Sequence, residues 1–130
     1  MRLQLALNVE NIDRAVDYYS RLFGARPHKR RDGYANFAID NPPLKLVLFE
    51  NAAADERINH LGVEVGTQED LDKAITRLET EGMIGKREDE TTCCHATQNK
   101  VWSAEPDGIA WEWYRITDDA PAKTNERCCA

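Results

Sequence analysis

No stretch of the 130-residue chain approaches the ~18–20 consecutive apolar residues that cross a bilayer as a helix, so no membrane partner is expected. The opening Met1-Arg2-Leu3-Gln4-Leu5-Ala6-Leu7-Asn8 turns polar too early for the apolar region of a secretory leader, and a cytoplasmic address is the expectation. Basic residues are also in short supply. The 17 Lys and Arg against 23 Asp and Glu give a net charge of −6, which argues against nucleic acid as a partner, because phosphate binding usually needs a basic face. There is no long compositionally biased tract. With 42% apolar and 31% charged residues, the length suits one globular domain with a real core.

Spaced cysteines are lacking too. The four present fall as adjacent pairs, Cys93-Cys94 and Cys128-Cys129. Neighbouring Cα atoms lie ~3.8 Å apart across a trans peptide, below the ~4.4–6.8 Å of ordinary disulfides. The pattern is therefore a poor disulfide framework, and each pair should remain two free thiols in a reducing compartment. Two thiols held side by side suggest a chelator for a soft atom; the plainer reading is two small, partly buried residues.

What is present is a repeat. Leu3-Gln4-Leu5-Ala6-Leu7-Asn8-Val9 alternates as a strand, and fifty-six residues later Asn59-His60-Leu61-Gly62-Val63-Glu64-Val65 does the same. Each predicted strand runs into a predicted helix. The first helix has Asn11 as N-cap, an apolar stripe of Ile12, Ala15, Val16, Tyr19 and Leu22, and Gly24 as terminator. The second opens on Thr67-Gln68-Glu69-Asp70, like a capping box, and carries Leu71, Ala74, Ile75 and Leu78 before Gly82. Further strands are expected at Tyr34–Ile39, Lys45–Phe49, Lys86–Thr92, Lys100–Ala104 and Ile109–Ile116, with a weaker one near Arg26–Arg30. The fold class is thus α+β, with paired βαβββ modules, 1–57 and 58–117. Residues 118–130, polar and Pro-containing, read as a flexible tail.

The alternation also sorts the polar groups. If the Leu/Val face of each opening strand packs on its helix, the other face carries Gln4, Ala6 and Asn8 in one module and His60, Gly62 and Glu64 in the other. If Trp111 and Trp113 face the helix layer, Glu112 and Tyr114 face the cavity. An amide oxygen, an imidazole nitrogen and a carboxylate would make a three-ligand metal site with open positions. Each residue alone is a weak signal, because a lone strand histidine is more often a core or surface residue. The acidic groups at 55–56, 69–72 and 88–90 read as solvated surface.

Asn8 through Tyr19, ending in Leu22-Phe23-Gly24, together with Asn59-His60-Leu61-Gly62-Val63, resembles the paired-module signature of the vicinal oxygen chelate superfamily, over residues 1–117. That superfamily includes glyoxalase I, type I extradiol dioxygenases and antibiotic-resistance proteins. Gly33–Ile39, Pro42–Leu48, Asn59–Val65 and above all Thr91-Thr92-Cys93-Cys94-His95-Ala96-Thr97-Gln98-Asn99-Lys100-Val101-Trp102 are similar to the organoarsenical carbon–arsenic lyases and cadmium-induced proteins.

The resemblance implies that the paired modules form a curved mixed β-sheet around a central metal cavity, in a non-haem Fe(II) enzyme with Gln4, His60 and Glu112 as metal ligands and dioxygen as co-substrate. It would cleave the C–As bond of trivalent organoarsenicals, methylarsenite or aromatic arsenicals, to release arsenite. Cys93 and Cys94 would bind the arsenic, and relatives suggest a homodimer; Tyr114, by its place on the expected cavity face, reads either as assisting at the metal or as simple packing. Glutamine at the first ligand position departs from the two-histidine pattern of extradiol relatives, so the ligands alone do not specify iron. The alternatives are a cadmium- or arsenic-induced metal-binding protein and a glyoxalase-like resistance protein. Roles for His95, Glu50, Cys128 and Cys129 stay open.

Overall fold

The computed structural model describes residues 1–93 and 95–119. Its elements run β1 (Arg2–Val9), α1 (Ile12–Phe23), β2 (Lys29–Arg31), β3 (Tyr34–Ile39), β4 (Leu44–Glu50), β5 (Ile58–Glu64), α2 (Gln68–Thr80), β6 (Lys86–Cys93), β7 (Ala96–Ala104) and β8 (Ala110–Asp118). The βαβββ order therefore occurs twice, in a mixed α+β fold. By packing, the chain divides into a compact unit spanning Arg2–Gly62 and another beginning at Val63.

In the first unit the strand order is β2-β3-β4-β1-β5. β1 pairs with β4 in parallel, Gln4 opposite Lys45, while β3 is antiparallel to both β2 and β4. Asn11 caps α1 through its side chain, which accepts from the Arg14 N–H at 3.0 Å. Gly24 ends the helix with φ +60°, a left-handed conformation that a Cβ would strain. Leu5, Leu7 and Val9 turn to the core formed by Ile12, Ala35, Phe37, Ile39, Leu46 and Leu48, as the alternation requires. Two members of the expected apolar set do not join it. Leu3 and Leu22 are more than half exposed, Leu3 because it lies near the start of β1 and Leu22 because Tyr19 and Phe23 take the inward face of α1.

In the second unit β8, β7 and β6 lie side by side, antiparallel, with the end of β5 next to β8 through the Val65 N–H, which donates to the Tyr114 carbonyl at 2.9 Å. Thr67 caps α2 by accepting from the Asp70 N–H at 3.1 Å. Leu71, Ala74, Ile75 and Leu78 are all buried, and Leu71, Ile75 and Leu78 pack with Val65, Val101 and the half-buried Trp113. The helix closes on Glu81, one residue before Gly82. β7 begins four residues earlier than expected, at Ala96, because the polar residues of Thr97–Asn99 pair with β6 and β8. β8 continues to Asp118, so ordered structure reaches the first residue assigned to the tail; Cys128 and Cys129 lie outside the described residues. No helix among the described residues is long and apolar enough to cross a membrane.

Candidate metal centre

β1 and β5 are neighbours in the first unit, and their polar faces meet. Gln4 and His60 are both buried, and Gln4 Nε2 lies 3.0 Å from His60 Nε2. The repeat-equivalent positions read from the sequence are therefore in contact. On the other side of the imidazole, His60 Nδ1 lies 2.8 Å from Asn59 Oδ1, and the Phe49 ring is tilted against it at 6.4 Å.

Glu112 belongs to the second unit. It is buried on β8, and its Oε2 accepts from Lys100 Nζ at 2.9 Å, with both side chains almost fully removed from solvent. The Lys100 ammonium also lies over the rings of Trp102 and Tyr114, at 5.4 and 5.8 Å. Tyr114 is buried, and its hydroxyl donates to Glu64 Oε2 at 3.1 Å. The inward turn of Glu112 and Tyr114 follows from alternation along β8, since Trp113 between them packs on α2.

Cys93 is the final residue of β6, with Ala96 as its Cα partner on β7. His95, half-buried, holds φ +63° in the turn between β6 and β7. Cys94 lies outside the described residues. Glu50 is accounted for in the first unit: its carboxylate accepts from the Ile12 N–H at 2.8 Å, placing negative charge at the positive end of α1.

The sequence set Asn8 and Glu64 on the same face as Gln4 and His60, whereas it gave no sign that Lys100 and Asn59 join buried polar clusters. A lysine two residues from Gln98 on an alternating strand reads as a solvent face. Only the position of β7 between β6 and β8 buries it.

The donor chemistry can be tested against a divalent ion. For bonds of ~2.1 Å, two ligand atoms at right angles about one ion lie ~3.0 Å apart, which the Gln4–His60 separation of 3.0 Å matches. Gln4 presents its amide nitrogen to His60, so binding requires that amide to turn end for end and offer Oε1. The neighbour at His60 Nδ1 is the kind of outer partner that orients ligating histidines. An imidazole, an amide oxygen and a carboxylate suit a borderline or hard divalent cation. Among the described residues no group of three or more His, Cys, Asp and Glu side chains is gathered for a metal ion; the expected set draws only His60 and Glu112 from those types.

Residues 3–113 match the Glyoxalase/Bleomycin resistance protein/Dioxygenase superfamily, and the chain belongs to it. Among its relatives, the cadmium-induced protein CadI of Mycobacterium bovis is 52% identical over 119 residues, covering 92% of this chain and 78% of the relative. A trivalent organoarsenical cleaving enzyme from Thermomonospora curvata is 47% identical over 131 residues, covering 98% of this chain and 87% of the relative. The crystal structure of the Mn(II)-bound glyoxalase from Novosphingobium aromaticivorans superposes with a TM-score of 0.64 at 19% identity, over 94% of this chain and 41% of that one, a likeness of fold.

Proposed function

We propose that the protein is an organoarsenical-cleaving enzyme that breaks the C–As bond of trivalent arsenicals and releases arsenite. The observation that carries this reading is the 47% identity, over nearly the full length, to a relative named for cleaving trivalent organoarsenicals. The Gln4–His60 contact supports it, because it sets two candidate ligand side chains side by side.

The proposed ligands are Gln4, His60 and Glu112. Fe(II), when bound, supplies the means of activating dioxygen, the oxidant for the cleavage. His60 contributes a neutral imidazole, Gln4 an amide oxygen, and Glu112 the one negative charge of the set. Lys100 offsets that charge in this structure, and Glu112 would have to loosen its pairing with the Lys100 ammonium to serve as a ligand. Cys93 and Cys94 hold the substrate: their thiols exchange with the two hydroxyls of methylarsenite, forming two As–S bonds and releasing two waters. Arsenic is then tethered with its carbon still attached, which turns the cleavage into an intramolecular event. The turn at His95 is consistent with adjacent thiols serving one arsenic atom, since on a regular strand they would face opposite sides. Tyr114 holds its hydroxyl proton on Glu64 Oε2 and assists at the metal from the same strand as Glu112.

The test is anaerobic loading with Fe(II), then air and methylarsenite, with arsenic speciation as readout. Arsenite should appear, and Cys93→Ser or Cys94→Ser should each abolish it. Absence of arsenite from the loaded, folded protein would sink the reading. The second reading is a cadmium-responsive metal-binding protein, favoured by the 52% identity to the cadmium-induced relative. Under it, Cd(II) forms a stoichiometric complex through the same thiols and no arsenical is turned over.

A further inference from the structure

Four hydrogen bonds in the first unit form a line that ends on a backbone carbonyl. Asn8 Nδ2 donates to the Glu56 carbonyl at 2.9 Å. Asn59 Nδ2 donates to Asn8 Oδ1 at 3.0 Å. His60 Nδ1 faces Asn59 Oδ1 at 2.8 Å, and His60 Nε2 faces Gln4 Nε2 at 3.0 Å. The backbone of Asn8 is itself clamped, its N–H donating to the Arg57 carbonyl at 2.7 Å and its carbonyl accepting from Arg57 Nε at 3.0 Å.

The line has only one consistent polarity. A backbone carbonyl has lone pairs and no proton, so Asn8 must turn its NH2 toward Glu56 and its oxygen toward Asn59. Asn59 must then give its NH2 to Asn8, which leaves its own oxygen against His60. Turning Asn59 end for end would set its oxygen against Asn8 Oδ1, two acceptors with no proton between them. Asn8 is buried and Asn59 half-buried, so little water is at hand to repair such a mismatch. An oxygen facing Nδ1 requires the imidazole proton there.

We infer that Asn59, oriented through Asn8 by the Glu56 carbonyl, is a positioning residue that fixes neutral His60 as its Nδ1–H tautomer, reserving the Nε2 lone pair for Gln4 or a metal ion. The tautomer assignment stands on hydrogen-bond geometry alone; its consequence for a metal rests on the reading of His60 as a ligand. Asn8 is the repeat counterpart of Glu64, so the same strand position serves a neutral relay in one unit and a carboxylate partner for Tyr114 in the other.

The experiment is long-range 1H–15N correlation NMR on metal-free, full-length protein at a pH where His60 is neutral, with the resonances assigned by loss in His60→Gln. Wild type should show the Nδ1–H pattern as the dominant form. Asn59→Leu should replace it with a mixture of tautomers, since Gln4 can turn its oxygen to a protonated Nε2. Asn59→Asp, whose carboxylate only accepts, should restore Nδ1–H. Asn8→Leu, which cuts the anchor and leaves Asn59 free to turn, should again give a mixture. A dominant Nε2–H form in wild type overturns the inference without reference to any variant, as does an unchanged tautomer in a folded Asn59→Leu protein. Co(II) titration, followed by its visible spectrum, separates the two levels. A fall in affinity of ~10–100-fold in Asn59→Leu, recovered in Asn59→Asp, ties the relay to the metal. An Nδ1–H tautomer with Co(II) affinity indifferent to His60→Gln keeps the relay and overturns the ligand reading.

Discussion

The two units bury polar groups by different means. In the first, Gln4, Asn8, Asn59 and His60 form a neutral line of donors and acceptors in which each partner dictates the orientation of the next. In the second, Lys100 and Glu112 are a full ion pair, enclosed by Tyr114 and Trp102. A neutral relay loses modest energy when cut and specifies direction. A buried ion pair costs a great deal when halved, because the surviving charge has neither water nor partner. The first unit thus presents oriented lone pairs, and the second a carboxylate already neutralised by its partner. The helices differ in the same sense: α2 buries four residues, whereas α1 buries only Ile12 fully and leaves Tyr18 and Leu22 half exposed.

The largest expected effect comes from halving the ion pair. Lys100→Met should lower unfolding free energy by ~3–5 kcal/mol in urea titrations, and adding Glu112→Leu should recover most of that. The corresponding cut in the neutral line, Gln4→Leu, should cost only ~1–3 kcal/mol. If Gln4→Leu proved as damaging as Lys100→Met, the contrast between the two clusters would be lost.

The helices offer a second comparison. Leu71→Ala on α2 should cost ~2–5 kcal/mol, while Leu22→Ala on α1 should stay within ~0.5 kcal/mol. Equal losses would mean that Leu22 is covered in solution, and a concentration-dependent melting temperature would identify a second copy of the chain as the cover.

The smallest effect concerns an exposed turn of the second unit. Glu105 accepts from the N–H groups of Asp107 at 3.0 Å and Ile109 at 2.9 Å, and these backbone bonds hold its carboxyl below the ordinary value of 4.5. A depressed carboxyl stabilises the fold above its unfolded value, and that contribution fades as pH falls from about 4.5 through the lowered folded value. Wild type should therefore melt above Glu105→Gln at neutral pH, and the gap should close in the acid range. A gap that stayed constant down to pH 3 would show that the ionised carboxylate is not its source.

Much of the first unit was legible in the sequence. Asn11 and Gly24 bracket α1 as expected, and β3 has the predicted limits, because caps and alternation are local signals. Gln4 and His60 could be paired in advance since the repeat set them at equivalent places. Lys100 could not. Its spacing on β7 is that of a surface residue, and its burial depends on β6 and β8 closing over it from elsewhere in the chain. Glu50 had no role legible in the sequence, because its partner, the Ile12 N–H at the start of α1, lies thirty-eight positions away.

By itself the sequence determined the repeated βαβββ order, the ends of the helices and the alternation that turns Gln4, His60, Glu112 and Tyr114 inward. Those features depend on residues a few positions apart, where backbone geometry sets the period. Tertiary structure alone decided which buried groups neutralise or orient one another: Lys100 with Glu112, Glu64 with Tyr114, Asn8 with Asn59. Hydrogen bonds and ion pairs act over about 3 Å, and only folding brings strands distant in the chain that close.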